Sequence, residues 1–302
     1  MKRTRVVCMA GVVGALAVSD FFPQARAEQA DSLVPGEVAA QALGTYVGTS
    51  DLKDPETPSQ KGTVGLYEIS IYAPLPLYEN DAWQWFAGPF YEMHRFTFDG
   101  IENLDDFTLY SAAVSAGAIY TGLDRWELAA SLTPGFFTDF RKTDSEDFKT
   151  LFHGTASWQC SKPVRLVGGV AYDTAFGKDE LYPVGGVRWD PTPSLSLQLV
   201  LPEPVVVWAP SDGLILHAHL LPAGGMWNVR DTTHESREYD FKEESWRAGI
   251  GAELRVGGSV WVHLSGGMDF EREYRIENSD EDYLLKSAVD DTWYVRAGVV
   301  LR

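Results

Sequence analysis

Cysteine is nearly missing from this chain: two in 302 residues, Cys8 and Cys160, too few for a disulfide-dense scaffold. Bases are scarce as well, 25 Lys and Arg against 43 Asp and Glu, a formal net charge of −18. That balance argues against nucleic acid or an anionic membrane surface as a partner. No stretch reaches 18 consecutive apolar residues, so no transmembrane helix is predicted. From Leu43 onward no segment carries a helical period. What is plentiful is 45% apolar and 13% aromatic residues, with 28 Gly and 10 Trp. Such a chain is no disordered polymer, and its length suits one large domain or two small ones.

Met1–Ala27 reads as a secretory signal peptide. Lys2, Arg3 and Arg5 precede the apolar run Val6–Val18, and Ala25-Arg26-Ala27 forms a small-x-small cleavage site before Glu28. The run is too short to span a bilayer, and no lipobox precedes Cys8. Cleavage would leave 42 acids against 21 bases, and Cys160 alone, so no intrachain disulfide. The expected division is a signal peptide over 1–27, a periplasmic segment over 28–42 and a barrel over 43–302.

The dominant pattern has period two. Tyr110, Ala112, Val114, Ala116, Ala118 and Tyr120 share one face, opposite Ser111, Ala113, Ser115 and Gly117. Trp246, Ala248, Ile250, Ala252 and Leu254 alternate with Arg247, Gly249, Gly251, Glu253 and Arg255. Trp293–Leu301 repeats the scheme. One face is apolar with aromatic ends and the other small or charged, as in strands between lipid and a polar lumen. A soluble sandwich also alternates. Its strands are usually shorter, however, about 5 or 6 residues, and Gly, Ser, Arg and Glu make a poor dry core.

Turns fall into two kinds. Glu79–Ala82, Gly122–Arg125, Cys160–Pro163, Asp190–Pro193, Ala209–Gly213 and Gly257-Gly258 are short. Asp51–Gln60, Asp99–Asp106, Arg141–Asp147, Asp231–Glu244 and Glu277–Asp291 are longer and acidic. Short periplasmic turns with longer outer loops suit an outer-membrane barrel, and all ten tryptophans lie near one turn type or the other, as interface girdles would. The prediction is all-β: a single antiparallel transmembrane β-barrel of 12 to 14 strands. The higher count requires a break at Pro202-Glu203-Pro204, where two prolines cannot donate to a ladder, and a short strand from Val205 to Trp208.

The stretch Pro183–Gly213, with its GG-V-R-W strand end, D-P turn, L-S-L alternation and P-E-P-V-V-V-W segment, resembles an uncharacterised family of outer-membrane β-barrels, a domain of unknown function. The resemblance implies the barrel fold and an outer-membrane location of the Gram-negative type, and carries no catalytic residues. The C-terminus departs from the usual assembly signal. Arg296–Arg302 matches polar-x-Gly-x-x-hydrophobic and then stops before the terminal aromatic.

Three functions are open at this point: a passive pore or small-solute transporter, a lipid-modifying hydrolase, and a closed barrel displaying acidic loops. Arg165, Arg188, Arg247, Glu253, Arg255 and Arg296 are expected to line the lumen or a constriction, with Glu127, Asp269 and Glu271 also inward. His263 and Ser265 lie two apart, so base and nucleophile could meet. The lipid-facing Val260, Val262 and Leu264 put them inside, no Asn or Asp orienter is evident, and they are read as a polar lumen pair. His217 and His219 share a face without a visible third metal ligand. The acidic loops, with Asp280-Glu281-Asp282 and Asp290-Asp291, offer divalent cations a surface but read as solvated. No catalytic residue, metal or cofactor is assigned. Expected partners are outer-membrane lipid, the barrel assembly machinery and small solutes or ions.

Overall fold

The structure is a computed structural model that describes residues 38–53, 62–101, 104–230, 238–277 and 283–302. The expected signal peptide, parts of four acidic loops and the Asp280–Asp282 cluster lie outside them. Alternating sequence yields β1 (Ala40–Lys53), β2 (Thr63–Tyr72), β3 (Leu75–Glu79), β4 (Trp83–Asp99), β5 (Phe107–Leu123) and β6 (Trp126–Thr138). Next come β7 (Phe148–Ser161), β8 (Val164–Asp173), β9 (Glu180–Thr192), β10 (Leu195–Leu201), β11 (Val205–Ser211) and β12 (Leu214–Pro222). The last are β13 (Gly225–Arg230), β14 (Glu238–Gly257), β15 (Val260–Glu277), β16 (Tyr283–Val289) and β17 (Thr292–Leu301).

These segments make fourteen staves. β2 and β3 both pair with β4, β12 and β13 both with β14, and β16 and β17 both with β15. Each couple is one strand interrupted in the middle. Neighbours are antiparallel all round, and the ring closes where β1 meets β17, from Ala40↔Leu301 to Val47↔Tyr294. The result is a closed 14-stranded barrel, whose β1–β17 seam leaves no terminal strand unpaired. The Pro202-Glu203-Pro204 break falls between β10 and β11 as expected. β1 begins three residues before the expected Leu43. Two acidic loops are shorter than expected because β14 starts at Glu238 and β16 occupies much of Glu277–Asp291.

The outer face carries the apolar set. Val114, Leu132, Ile250, Leu264 and Val299 are exposed. At the short-turn end Trp83, Trp85, Trp126, Trp158, Trp189 and Trp208 form a girdle, with Trp83 stacked on Trp85 at 5.6 Å. A second group, with Tyr46 on Trp293 at 5.5 Å, sits toward the long-loop end. Beyond it the outside turns charged: Arg275 pairs with Glu244 at 2.9 Å and with Glu273, Lys242 with Glu277, and Lys53 with Asp290 at 2.7 Å. The strands therefore continue past the apolar belt into water.

Two tryptophans depart from the girdle expectation. Trp227 and Trp261 are 2% and 4% exposed and point inward. Trp227 belongs to a packed core in the long-loop half, with Phe96, Phe241, Tyr274, Leu66, Leu109 and Phe137. Phe96 lies 4.5 Å from Phe241 and 5.5 Å from Tyr274, edge-on. Each such side chain contributes about 1.5–3 kcal/mol by leaving water. The interior here is apolar, where the sequence expectation was an inner face that is small or charged. The reason is that β13 leans across the ring. Asn228 bridges Thr138 of β6 in parallel, the Asp139 N–H donates to Asn228 O, and Trp227 Nε1 donates to Ser111 Oγ at 3.1 Å. Opposite walls thus meet as in a sandwich.

Candidate functional site: the lumen beneath the core

Below the apolar core the inward positions become charged. Glu68 is the one carboxylate on the inner stripe of β2, between Leu66 and Ser70. It receives both Arg247 Nη atoms at 2.7 Å, while Arg247 Nε donates to Asp269 at 2.9 Å. Arg296 donates to Thr45 at 2.9 Å and lies 3.9 Å from Glu68. His94 Nδ1 stands 3.7 Å from Glu68 and 3.6 Å from Glu243. Arg272 closes the layer through Ser50 and Tyr274, at 2.7 and 2.8 Å. Every one of these groups is buried. A buried pair gains little over apolar packing, but removing one partner strands the other charge. The layer therefore locks neighbouring strands in register and leaves no free guanidinium for an ion to meet.

The expected lumen residues divide accordingly. Arg247 and Arg296 enter this layer. Arg165 and Arg188 lie on the inner faces of β8 and β9, with Arg165 3.6 Å from Glu127 and Arg188 3.8 Å from Asp190. Arg255 stays on the inner stripe of β14, opposite the inward Trp261, but at the exposed rim of the barrel, where it caps the β14–β15 turn through Gly258 O at 2.7 Å. Glu271 leaves the inner face. Its φ of 52° makes a bulge in β15, putting two successive side chains outside and returning Arg272 inward. This bulge and the break at Asp290-Asp291 open an external groove of about 650 Å³ beside Trp246, Phe176 and Lys53. The sequence reading missed Glu68, His94, Glu243, Arg272 and Tyr294. Strand parity alone would have found Glu68, as a lone acid on an apolar stripe.

Nearer the short-turn end a ladder of rings runs along the wall. Tyr294 lies beneath the Arg247 guanidinium at 5.6 Å and its hydroxyl meets His219 Nε2 at 2.6 Å. His217 stacks on His219 and on His263, at 5.4 and 5.2 Å between centroids. The three imidazoles are stacked face to face, within 30° of parallel, and do not converge on a point. Among the described residues no group of three or more His, Cys, Asp or Glu side chains is placed to hold a metal ion. His263 and Ser265 both face inward and are in contact: Nε2 to Oγ is 3.0 Å, and Nδ1 lies 3.5 Å from Glu253 Oε1. Arg302 grips the same carboxylate at 2.7 and 3.0 Å.

The wall is uneven. β10 and β11 have seven residues each, so their hairpin tip stops midway up the barrel. Above it, β9 and β12 have no strand between them. The gap is filled by the loop after β8. Gly224 N–H donates to Ala175 O at 3.0 Å, and Phe176 packs against Tyr182 and Trp246 at 5.0 and 5.8 Å. On the far side the β6–β7 loop is tied down by Asp144, which pairs with Arg230. The Glu146 N–H and then Arg230 hold the Asp144 carboxyl below the ordinary aspartate range.

A closed ring of antiparallel strands with an apolar, girdled exterior and a polar lower lumen defines the chain as a transmembrane β-barrel. It belongs to the family described as "Domain of unknown function (DUF6268)", whose model matches residues 36–299. No curated protein matches it. Among solved structures it is similar to a Pseudomonas aeruginosa FadL homologue, with a TM-score of 0.49 and 11% identity over 97% of this chain and 99% of that one. The COG4313 outer membrane channel from Pseudomonas putida F1 follows, at 0.41 and 12% over 88% and 97%. The P. putida toluene transporter TodX gives 0.38 and 9% over 89% and 91%.

Proposed function

We propose that the chain is an outer-membrane transporter of small solutes that rests in a closed state. The observation that carries this is the crossing of β13 to β6 above a polar lower lumen. Solute entering from the short-turn end passes the apolar patch around Trp261 and Ile215, then ionised and hydrogen-bonding groups, then an aromatic barrier. Passage requires Trp227 and Phe241 to move, or the loop at Ala175 to leave the wall above the β10–β11 hairpin. That loop holds Gly224 by a hydrogen bond where the rest of the wall has a strand ladder. An always-open pore has no support in this packing. Export behind a cleaved Met1–Ala27 leader, with a periplasmic segment before the barrel, belongs to the same proposal. So do insertion by the barrel assembly machinery without a terminal aromatic, and contact with outer-membrane lipid.

Planar-bilayer recording tests the closed state. Refolded wild type should be silent at low voltage, and Trp227→Ala with Phe241→Ala should give stepwise current. A double variant that folds yet stays silent at every voltage leaves the purely structural barrel as the better reading. Stepwise current from wild type at low voltage removes the barrier instead.

A further inference from the structure

Two rungs of the sheet carry the groups of a hydrolytic centre. On one rung Ile215 of β12 faces Glu253 of β14, which faces His263 of β15. On the next, His217 faces Gly251, which faces Ser265. All the side chains on these rungs point into the lumen. Direct opposition across neighbouring strands places Cβ atoms about 4.5–5.5 Å apart. The residue between His217 and Ser265 has no side chain, so both groups close over it. A Cβ at position 251 would lie 2.4 Å from His217 Nε2 and 2.7 Å from Ser265 Cβ.

We propose that Ser265, His263 and Glu253 form a nucleophilic triad that hydrolyses short carboxylic esters entering the lower lumen. The order of contacts is the one such chemistry needs. Ser265 Oγ donates to His263 Nε2 at 3.0 Å, and the Nδ1–H faces the Glu253 carboxylate at 3.5 Å. That tautomer leaves Nε2 free to take a proton. Glu253 is a positioning residue, itself held by Arg302 at 2.7 and 3.0 Å. It supplies the orienter that alternation does not reveal, since spacing alone marks Glu253 only as a lumen charge.

In the first step Ser265 Oγ bonds to the acyl carbon as its proton passes to His263 Nε2. The carbon–oxygen bond to the alcohol then breaks, and the alcohol leaves with that proton. Water adds to the acyl-serine through the same imidazole, which returns a proton to Ser265 Oγ, and the carboxylic acid departs. His217, against the same Gly251 Cα, supplies an N–H toward the carbonyl oxygen as charge builds there. The acyl class follows from the next wall positions. Trp261 and Ile215 lie two residues before His263 and His217 on the same faces, and pack with Leu43, Val38 and Val300 into an apolar patch. These five side chains are themselves buried, so an acyl chain has to part them, and a short apolar one is the class in keeping with such a wall.

The test uses full-length protein refolded in micelles, with folding checked by heat-modifiable gel mobility. It is treated with a small dialkyl fluorophosphate, and p-nitrophenyl butyrate is the turnover probe. The expected result is a phosphorylated peptide containing Ser265, with that adduct at least tenfold above any other serine. Ester turnover should vanish in Ser265→Ala and His263→Ala. Glu253→Gln should lower kcat roughly 10- to 100-fold with little change in KM. The adduct on wild type needs no variant, so a misfolded Ser265→Ala does not block the test. A folded wild-type barrel with no adduct at Ser265 overturns the proposal, as does turnover unchanged in a folded Ser265→Ala or His263→Ala.

Discussion

Arg247 spends its guanidinium on two carboxylates, Glu68 at 2.7 Å twice and Asp269 at 2.9 Å, and all three groups are buried. Arg247→Ala takes the close hydrogen-bonding partner from two buried carboxylates, leaving Glu68 with Arg296 at 3.9 Å and Asp269 with Arg272 at 3.7 Å. The expected loss is about 3–5 kcal/mol, read as a lower urea midpoint at unchanged slope in lipid vesicles. Adding Glu68→Gln should recover part of that loss, because the second change removes one stranded charge. A single variant as stable as wild type would mean that water reaches this layer. Inward placement of Arg247, Arg296, His263 and Ser265 was legible from alternation alone, since period two decides which face a side chain takes. Their partners were not legible. Arg247 and Glu68 are 179 residues apart, and only ring closure brings their strands to one side of the lumen. Glu271 leaves the inner face for a local reason, a bulge at φ 52°, which does not change the alternation in the sequence.

At the scale of elements the unusual parts are the short β10–β11 hairpin and the loop that substitutes for it. Gly224 is where they join. A Cβ there would lie 2.2 Å from Glu243 O and 2.7 Å from Ala175 O, so the loop can dock only against glycine. Gly224→Val should cost about 1–3 kcal/mol through overpacking and release the loop. Trypsin should then cut after the exposed Lys178 at least tenfold faster than in wild type. Equal cleavage rates would show that the loop does not depend on this contact. The hairpin was readable from Pro202-Glu203-Pro204, because proline cannot join a ladder. The loop was not. Nothing in Thr174–Asp179 announces that the strand beside it will be missing, as that depends on the length of two later strands.

The whole molecule is held by its seam. β1 and β17 lie at opposite ends of the described chain, and only their pairing leaves no terminal strand unpaired. Deleting residues 38–53 should abolish the fast-migrating band of unheated protein, leaving aggregates joined at the β2 and β17 edges. A heat-modifiable monomer from that deletion would mean that thirteen strands can close without β1. The sequence by itself determined the strand class, the outward apolar face, the short-turn girdle and the position of the β10–β11 turn. Each of these depends on residues a few positions apart, where alternation and proline chemistry act. Tertiary structure alone decided that β13 crosses to β6, that the outward half of the lumen is apolar, and that Glu253 faces His263. Those facts rest on ring closure and cross-strand register, which join residues distant in the chain through backbone hydrogen bonds that any sequence of this pattern can form.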